Sequence, residues 1–256
     1  MDLGLQGRTA LVLGGSQGLG FACAASLAAE GVKVIVNGRD AERAQEAAAT
    51  IGGHAVIGDV GVPEERERIF AEARQHGRID ILVTNAGGPP PGPFGRHDHG
   101  TWLRALETNM LAAIDCTRLA LPGMIDRGFG RIVNITSFTV REPYPNMGLA
   151  TGVRAGLTGA MAALAREVAD KGITVNNLLP GLMDTGALKR VYAAQSKAEG
   201  ISEDYAKERM SQSVPMKRLG TADDFGPACA FLCSPLASYI TAQNLTIDGG
   251  LVRALL

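Results

Sequence analysis

The sequence predicts an α/β protein: a single domain built on a doubly wound, parallel β-sheet with helices on both faces. Three observations predict it. Apolar, β-rich runs alternate with helical patterns along all 256 residues. The runs lack polar alternation, as strands buried on both faces do. Hydrophobic residues make up 46% of the chain and glycine is frequent at 33 residues, a composition suited to helices packed closely on a sheet. Strand–helix alternation then implies right-handed crossovers. α/β folds of this length are routinely one domain, so the expected unit is 1–256.

The elements follow in order. Residues 9–13 form a short buried strand and 19–30 an alanine-rich helix. Residues 33–37 and 41–51 make the second strand and helix. Strands at 55–58 and 79–83 flank a charged helix at 63–76. A long helical stretch at 102–127 leads to a fifth strand at 131–136. A helix at 151–171, a sixth strand at 174–179 and a last strand at 244–247 complete the pattern. The polar, helical segment 186–214 breaks the rhythm after strand six. An insertion at the carboxyl edge of such a sheet is placed to cover a substrate; a plain surface excursion is the alternative.

The net charge is −1 with no long run of one sign, so neither a nucleic-acid groove nor an anionic membrane surface is expected. Cys23, Cys116, Cys229 and Cys233 form no CxxC pair or zinc spacing and read as small core residues. Residues 1–8 carry no basic-then-apolar signal segment, and no apolar run approaches membrane-spanning length. A cytoplasmic setting is the expectation. His97 and His99 flank Asp98, but no third ligand is evident and no metal is expected.

The chemistry starts at the end of the first strand. It runs into Gly14-Gly15-Ser16-Gln17-Gly18-Leu19-Gly20, and a helix follows at once. A phosphate pair needs backbone N–H groups in reach and the positive end of a helix dipole; glycine permits that approach because no Cβ intrudes. Strand, turn and helix together predict a dinucleotide site on a Rossmann-type fold, with Gly14, Ser16, Gln17, Gly18, Leu19 and Gly20 as binding residues. At the end of strand two, an acid would bind the ribose 2′-hydroxyl of NAD and repel a 2′-phosphate. The chain reads Asn37-Gly38-Arg39 there, and the planar guanidinium of Arg39 suits a phosphate. Asp40 reads as the N-cap of the next helix. NADP(H) is therefore favoured over NAD(H).

The glycine spacing (Gly, three residues, Gly, one residue, Gly) resembles that of the short-chain dehydrogenase/reductase family, and further matches follow in order. Asp59-Val60 is similar to the pair that holds the adenine ring. Asn85-Ala86-Gly87 resembles the family's NAG motif, and Asn109 its helix asparagine. The segment Gly130-Arg131-Ile132-Val133-Asn134-Ile135-Thr136-Ser137 resembles the strand that ends in the catalytic serine. Pro180-Gly181 followed by Thr185 resembles the PGxxxT segment at the nicotinamide, with Met183 inside it. Ile247-Asp248-Gly249-Gly250 matches the usual ending. The resemblance covers essentially the whole chain and looks nearest to the bacterial 3-oxoacyl-carrier-protein reductases and their divergent relatives. It implies a homotetramer, or a homodimer, built partly on the helices at 102–127 and 151–171. The small residues Ala155, Gly159, Ala162 and Ala163 would allow close helix approach, between subunits or within one. Gln17 is neutral where NADP-using members often carry a second basic residue.

The resemblance also implies a Tyr-x-x-x-Lys pair, one helical turn apart, in which the lysine charge lowers the tyrosine pKa from about 10 toward the working range. That pair is missing. Counted from Ser137, the tyrosine position is Ala150 and the lysine position is Arg154. The tyrosines are Tyr144, Tyr192, Tyr205 and Tyr239; the residues four further on are Gly148, Ser196, Arg209 and Gln243. Arg154 can hold charge and bind the nicotinamide ribose, but with a pKa above about 12 it lends no proton readily. Ser137 and Asn109 are expected to organise the polar site. Tyr144, in the loop after strand five, is a candidate acid or simply a loop residue. Pro89-Pro90-Pro91 makes a stiff lip at the pocket mouth or a rigid turn. Three readings stay open: an NADP(H)-dependent oxidoreductase acting on a carbonyl or secondary alcohol, a non-catalytic NADP-binding sensor or oligomer partner, and an elimination or isomerisation enzyme without net redox.

Overall fold

The computed structural model describes residues 2–255, so residues 1 and 256 of the expected domain lie outside it. Its strands are β1 (Thr9–Val12), β2 (Lys33–Gly38), β3 (His54–Ile57), β4 (Ile81–Thr84), β5 (Gly130–Ile135), β6 (Ile173–Pro180) and β7 (Asn244–Ile247). The helices are α1 (Gly18–Ala29), α2 (Ala41–Thr50), α3 (Pro63–Gln75), α4 (His99–Leu106), α5 (Ala112–Asp126), α6 (Gly148–Val168), α7 (Gly186–Glu199), α8 (Glu203–Ser213) and α9 (Ala222–Cys233). All strands pair in parallel, in the order β3-β2-β1-β4-β5-β6-β7. The order reverses between β1 and β4, which opens a crevice at the carboxyl ends of those strands.

Successive side chains point to opposite faces of the sheet, so each strand feeds two cores. Val12, Val36, Val83 and Val133 pack with Cys23, Leu27 and Phe225 on one face. Leu11, Ile35, Leu82 and Ile132 pack with Ile69, Phe70, Cys116 and Met161 on the other. All four cysteines are buried and unpaired, and burial pushes the Cys116 thiol up to about 12. A polar ladder crosses four strands, β4 to β7, in register. Thr84 Oγ1 donates to Asn134 Oδ1 (2.7 Å), Asn134 Nδ2 to Asn177 Oδ1 (3.0 Å) and Asn177 Nδ2 to Asn244 Oδ1 (2.7 Å). Each buried amide on the ladder thus meets a partner, as burial of polar groups requires.

Local chemistry accounts for the helix ends. Asp40 caps α2 as expected, its Oδ1 accepting from Arg43 N at 3.2 Å. The stretch expected at 102–127 starts earlier, because Asp98 Oδ1 accepts from Thr101 N at 2.7 Å and caps α4. It is also interrupted: Glu107–Leu111 forms a π turn between α4 and α5, an irregularity that often marks a functional site. Helix α9 has no counterpart among the expected elements. Thr221 and Asp224 form a capping box at its start, and Arg218 pairs with Asp224 at 2.6 Å and holds its carboxyl well below the usual range. The insertion is two helices, α7 and α8. Lys207 on α8 ties it back to Asp184 at 2.7 Å. On α6, Ala155, Gly159 and Ala163 are exposed, so this small-residue face is not consumed by packing within the chain. Among the described residues, no helix is long and apolar enough to cross a membrane.

Candidate active site

The glycine turn is built as a close approach of three segments. Gly14 has φ +57°, which a side chain would strain, and a Cβ there would lie 2.7 Å from Asn85 O. A Cβ on Gly20 would collide with Gly14 O and sit 2.8 Å from Asn85 Nδ2. Asn85 Nδ2 donates to Gly14 O at 3.0 Å, and Gly15 N donates to Asn37 O at 2.9 Å. Gln17 is the N-cap of α1 but its side chain makes no cap bond, and the first turn holds no acid. The N-terminal N–H groups and positive dipole end of α1 are therefore left for an anion. Ser16 packs against Gly38, where a Cβ would meet its Oγ at 3.0 Å, so the turn abuts the end of β2. Leu19 faces the other way and packs on the core.

At the end of β2, Asn37 points inward and donates to Val56 O and Gly58 O, each at 3.1 Å. No acid stands there. Arg39 is 81% exposed and among the described residues pairs only with Asp59, at 3.8 Å, a pair too open to hold the guanidinium away from a phosphate. Asp59 Oδ1 accepts from Gly61 N at 2.8 Å and shapes the turn that presents Val60.

Val60, Asn85, Ala86, Thr108 and Asn109 converge on a cavity of about 20 Å³ behind the crevice, room for one water. Val60 of the Asp59-Val60 pair, Asn85 and Ala86 of the turn after β4, and Asn109 are thus brought together. Arg154 reaches the same turn from α6: a Cβ on Gly88 would lie 3.3 Å from its Nη2. No carboxylate among the described residues pairs with it. Burial pulls the guanidinium down to about 10, which leaves it charged at neutral pH. Pro180 pairs with Ile247, and Gly181 is pressed against Asp248, whose carboxylate accepts from Gly250 N and Val252 N at 2.9 and 2.7 Å. Thr185 begins α7 with its hydroxyl free of a cap bond. Met183 is 4% exposed and packed on Gly220. Its side chain belongs to the core, so only its backbone is left for a cofactor.

Ser137 is buried, and its Oγ accepts from Thr139 N (3.2 Å) and Thr139 Oγ1 (3.0 Å). With both lone pairs used, the hydroxyl has its proton left to donate. Thr139 was not expected; a threonine two residues after a serine reads as an ordinary turn. If Ser137 acts on a substrate, Thr139→Val is expected to lower turnover about fivefold, the worth of one hydrogen bond, with dinucleotide affinity unchanged in a fluorescence titration. Equal loss of both would show Thr139 to be a general structural residue. Tyr144 is 42% exposed and stacks edge-on against Phe138 at 5.3 Å. That contact holds the ring beside the residue after Ser137, and no hydrogen bond ties its hydroxyl to the site among the described residues. Ala150 is 3% exposed. The tyrosine position is therefore covered by protein and does not face an open gap.

Arg66 is a second residue that the pattern did not flag. It lies in a run of charges on α3 that reads as a solvated face, yet its side chain is 3% exposed. His97 turns toward Gly92, where a Cβ would lie 3.5 Å from its Cε1. Among the described residues no group of three or more His, Cys, Asp or Glu could hold a metal ion.

Comparison with known proteins identifies the family. The family model described as enoyl-(acyl carrier protein) reductase matches residues 14–252. Dehydrogenase/reductase SDR family member 4 of Sus scrofa is 34% identical over 255 residues, covering 96% of this chain and 88% of its own. The NADPH-dependent reductase BacG of Bacillus subtilis is 32% identical over 256 residues, covering 97% of this chain and 99% of its own. The solved structure of L-sorbose reductase from Gluconobacter frateurii, complexed with NADPH and L-sorbose, superposes with a TM-score of 0.94 at 29% identity over 100% of both chains. The matches span the chain from the glycine turn to the closing Asp248-Gly249-Gly250, and the chain belongs to the short-chain dehydrogenase/reductase family.

Proposed function

We propose that this chain is an NADP(H)-dependent oxidoreductase acting on a carbonyl or secondary alcohol, with a site that lacks the usual enzyme acid. The observation that carries the reading is the Gly14–Gly20 cradle. Its glycines admit an anion to the helix N-terminus, its neighbours Asn85 and Val60 line one cavity, and Arg154 reaches the adjoining Gly88. NADP(H) is preferred over NAD(H) because the end of β2 offers exposed Arg39 and no acid. Relatives with NADPH in their names, BacG and the sorbose reductase complex, support that choice.

When bound, the cofactor supplies or accepts the hydride. The phosphates would be held by the N–H groups of Ser16 to Gly20, the 2′-phosphate by Arg39, the adenine by Asp59-Val60, and the nicotinamide half by Arg154, Pro180, Gly181 and Thr185. Ser137 donates its hydroxyl proton as a hydrogen bond to the substrate oxygen. Arg154 adds positive charge on the same side and stabilises an alkoxide as it forms. It gives up no proton, so the proton comes from water, from Tyr144 or from the substrate itself. A substrate with an activated carbonyl or an acidic hydroxyl needs the least help, and quinones and activated ketones are the preferred class.

The test is steady-state oxidation of NADPH and NADH against a panel of ketones and quinones. Turnover with NADPH preferred is the expected result. Tight NADPH binding with no turnover above background would contradict the reading and favour the sensor alternative, which Ala150 motivates.

A further inference from the structure

We propose that Arg66 is a positioning residue that ties the adenine end of the cofactor crevice to the π turn carrying Asn109. The inference rests on the reading of Asp59-Val60 as the adenine contact. Arg66 sits on α3 with its side chain almost fully buried. Each edge of its guanidinium goes to a different segment. Nε donates to Val60 O at 2.8 Å, Nη1 to Asp115 Oδ2 at 2.6 Å, and Nη2 to Glu107 Oε1. Val60 is the residue on which the adenine would lie. Glu107 opens the π turn Glu107–Leu111, and Asp115 is in the first turn of α5 behind it. The adjacent Glu65 holds the same loop from its other end, accepting from Asp59 N at 2.9 Å. Val60, Thr108 and Asn109 also line one small cavity, so the two segments touch as well as share a cation.

A helix-packing role alone does not ask for this residue. Burying a guanidinium costs several kcal/mol unless its geometry is good, and an apolar side chain of similar volume fills such a slot at least as well. What the fork supplies is direction: three fixed bonds to three segments in one plane. A π turn is one residue wider than the α-helix around it, so it has a second arrangement available, the regular helix, in which Asn109 would be rotated out of the crevice. Glu107 sets where the wide turn begins. A ligand that fixes Val60 therefore fixes Arg66, and Arg66 holds Glu107 in the π arrangement. The adenine half of the cofactor would then organise the reacting end before any substrate arrives, which is the kind of two-state element that coupling between sites requires.

The test needs no turnover. Hydrogen–deuterium exchange is measured on the full chain with and without adenosine 2′,5′-bisphosphate, which carries the adenine half of NADP and lacks the nicotinamide; direct contact with the π turn is told apart from coupling by the Glu107→Gln variant. In the native protein the ligand is expected to slow exchange at 59–62 and also at 107–111. Glu107→Gln cuts the tie on the π-turn side alone; protection at 59–62 should persist and protection at 107–111 should disappear. Arg66→Met should lose the remote protection and weaken the ligand about tenfold, as the loss of a bond to a charged donor does. Because Arg66→Met removes a buried cation and is at risk of unfolding, the Glu107→Gln variant, at a position only one-third exposed but not core, keeps the test decisive. Protection confined to 59–62 in the native protein, or remote protection that survives Glu107→Gln, overturns the coupling and leaves the cofactor reading intact. Failure of the native protein to bind the bisphosphate overturns the cofactor reading, and this inference with it.

Discussion

The double variant Ala150→Tyr, Arg154→Lys is expected to raise the rate of ketone reduction by about 10² to 10⁴-fold, the usual contribution of a positioned general acid. Both positions lie on α6 one turn apart, so a tyrosine and a lysine there would share a face. In the proposed site Ser137 would donate to the same reacting oxygen, and the loop carrying Asn85 to Gly88 already meets the side chain at 154. The variant restores both members of the missing pair, the proton donor and the lysine beside it. The gain has an opposing term. Ala150 is covered, and forcing a ring into a packed position costs about 1–3 kcal/mol. Thermal unfolding should therefore show a less stable variant that is nonetheless faster with unactivated ketones. The comparison also separates the first two readings. If the native chain turns over quinones and activated ketones while the variant extends the range to ordinary ketones, the native site is a working site with a restricted substrate class. If the native chain is inert with every substrate and only the variant works, the native protein is a cofactor-binding module.

Gly20→Val carries the second large effect: NADPH affinity should fall by about two orders of magnitude or more, from overpacking together with lost phosphate bonds. A Cβ at 20 has nowhere to go, because Gly14 O and the Asn85 amide occupy the space. Relief requires the first turn of α1 to move off the strand, or Asn85 to release Gly14 O. Either movement misplaces the N–H groups that would meet the phosphates. Far-ultraviolet circular dichroism checks that the fold survives, and a fluorescence titration reads the affinity. Unchanged affinity in a folded variant would mean that the dinucleotide does not bind at this turn.

The sheet was legible because both of its faces are covered. Strands such as Ala10-Leu11-Val12 and Ile81-Leu82-Val83 read as unbroken apolar runs, and no competing pattern looks the same in a chain that alternates them with helices. The cofactor turn was legible because phosphate binding constrains the backbone itself, and only glycine fits positions such as 14 and 20. Side chains that work through tertiary contacts were not legible. Arg66 stands in Glu64-Glu65-Arg66-Glu67-Arg68, where every neighbour argues for solvent; its burial depends on Glu107 and Asp115, 41 and 49 residues away. The π turn leaves no periodic trace, since one extra residue inside a long helical pattern does not change its composition. Helix α9 was hidden by Gly226 and Pro227, which read as breakers, although Thr221 and Asp224 held its start signal. Met183 is placed at the cofactor by its position in a motif; its side chain fills the core beside Gly220, a tertiary contact that the motif does not show and that leaves its backbone for the role.

In the proposed reaction a chain without the tyrosine and lysine still passes hydride between NADP(H) and a carbonyl carbon. The direct measurement follows the isotope from NADPH deuterated at nicotinamide C4, with each face labelled in turn, to the product of an activated ketone. Deuterium is expected on the carbinol carbon from one face only, at a rate that exceeds the uncatalysed reduction. Product without deuterium, or no product from a protein shown to hold NADPH, would contradict it.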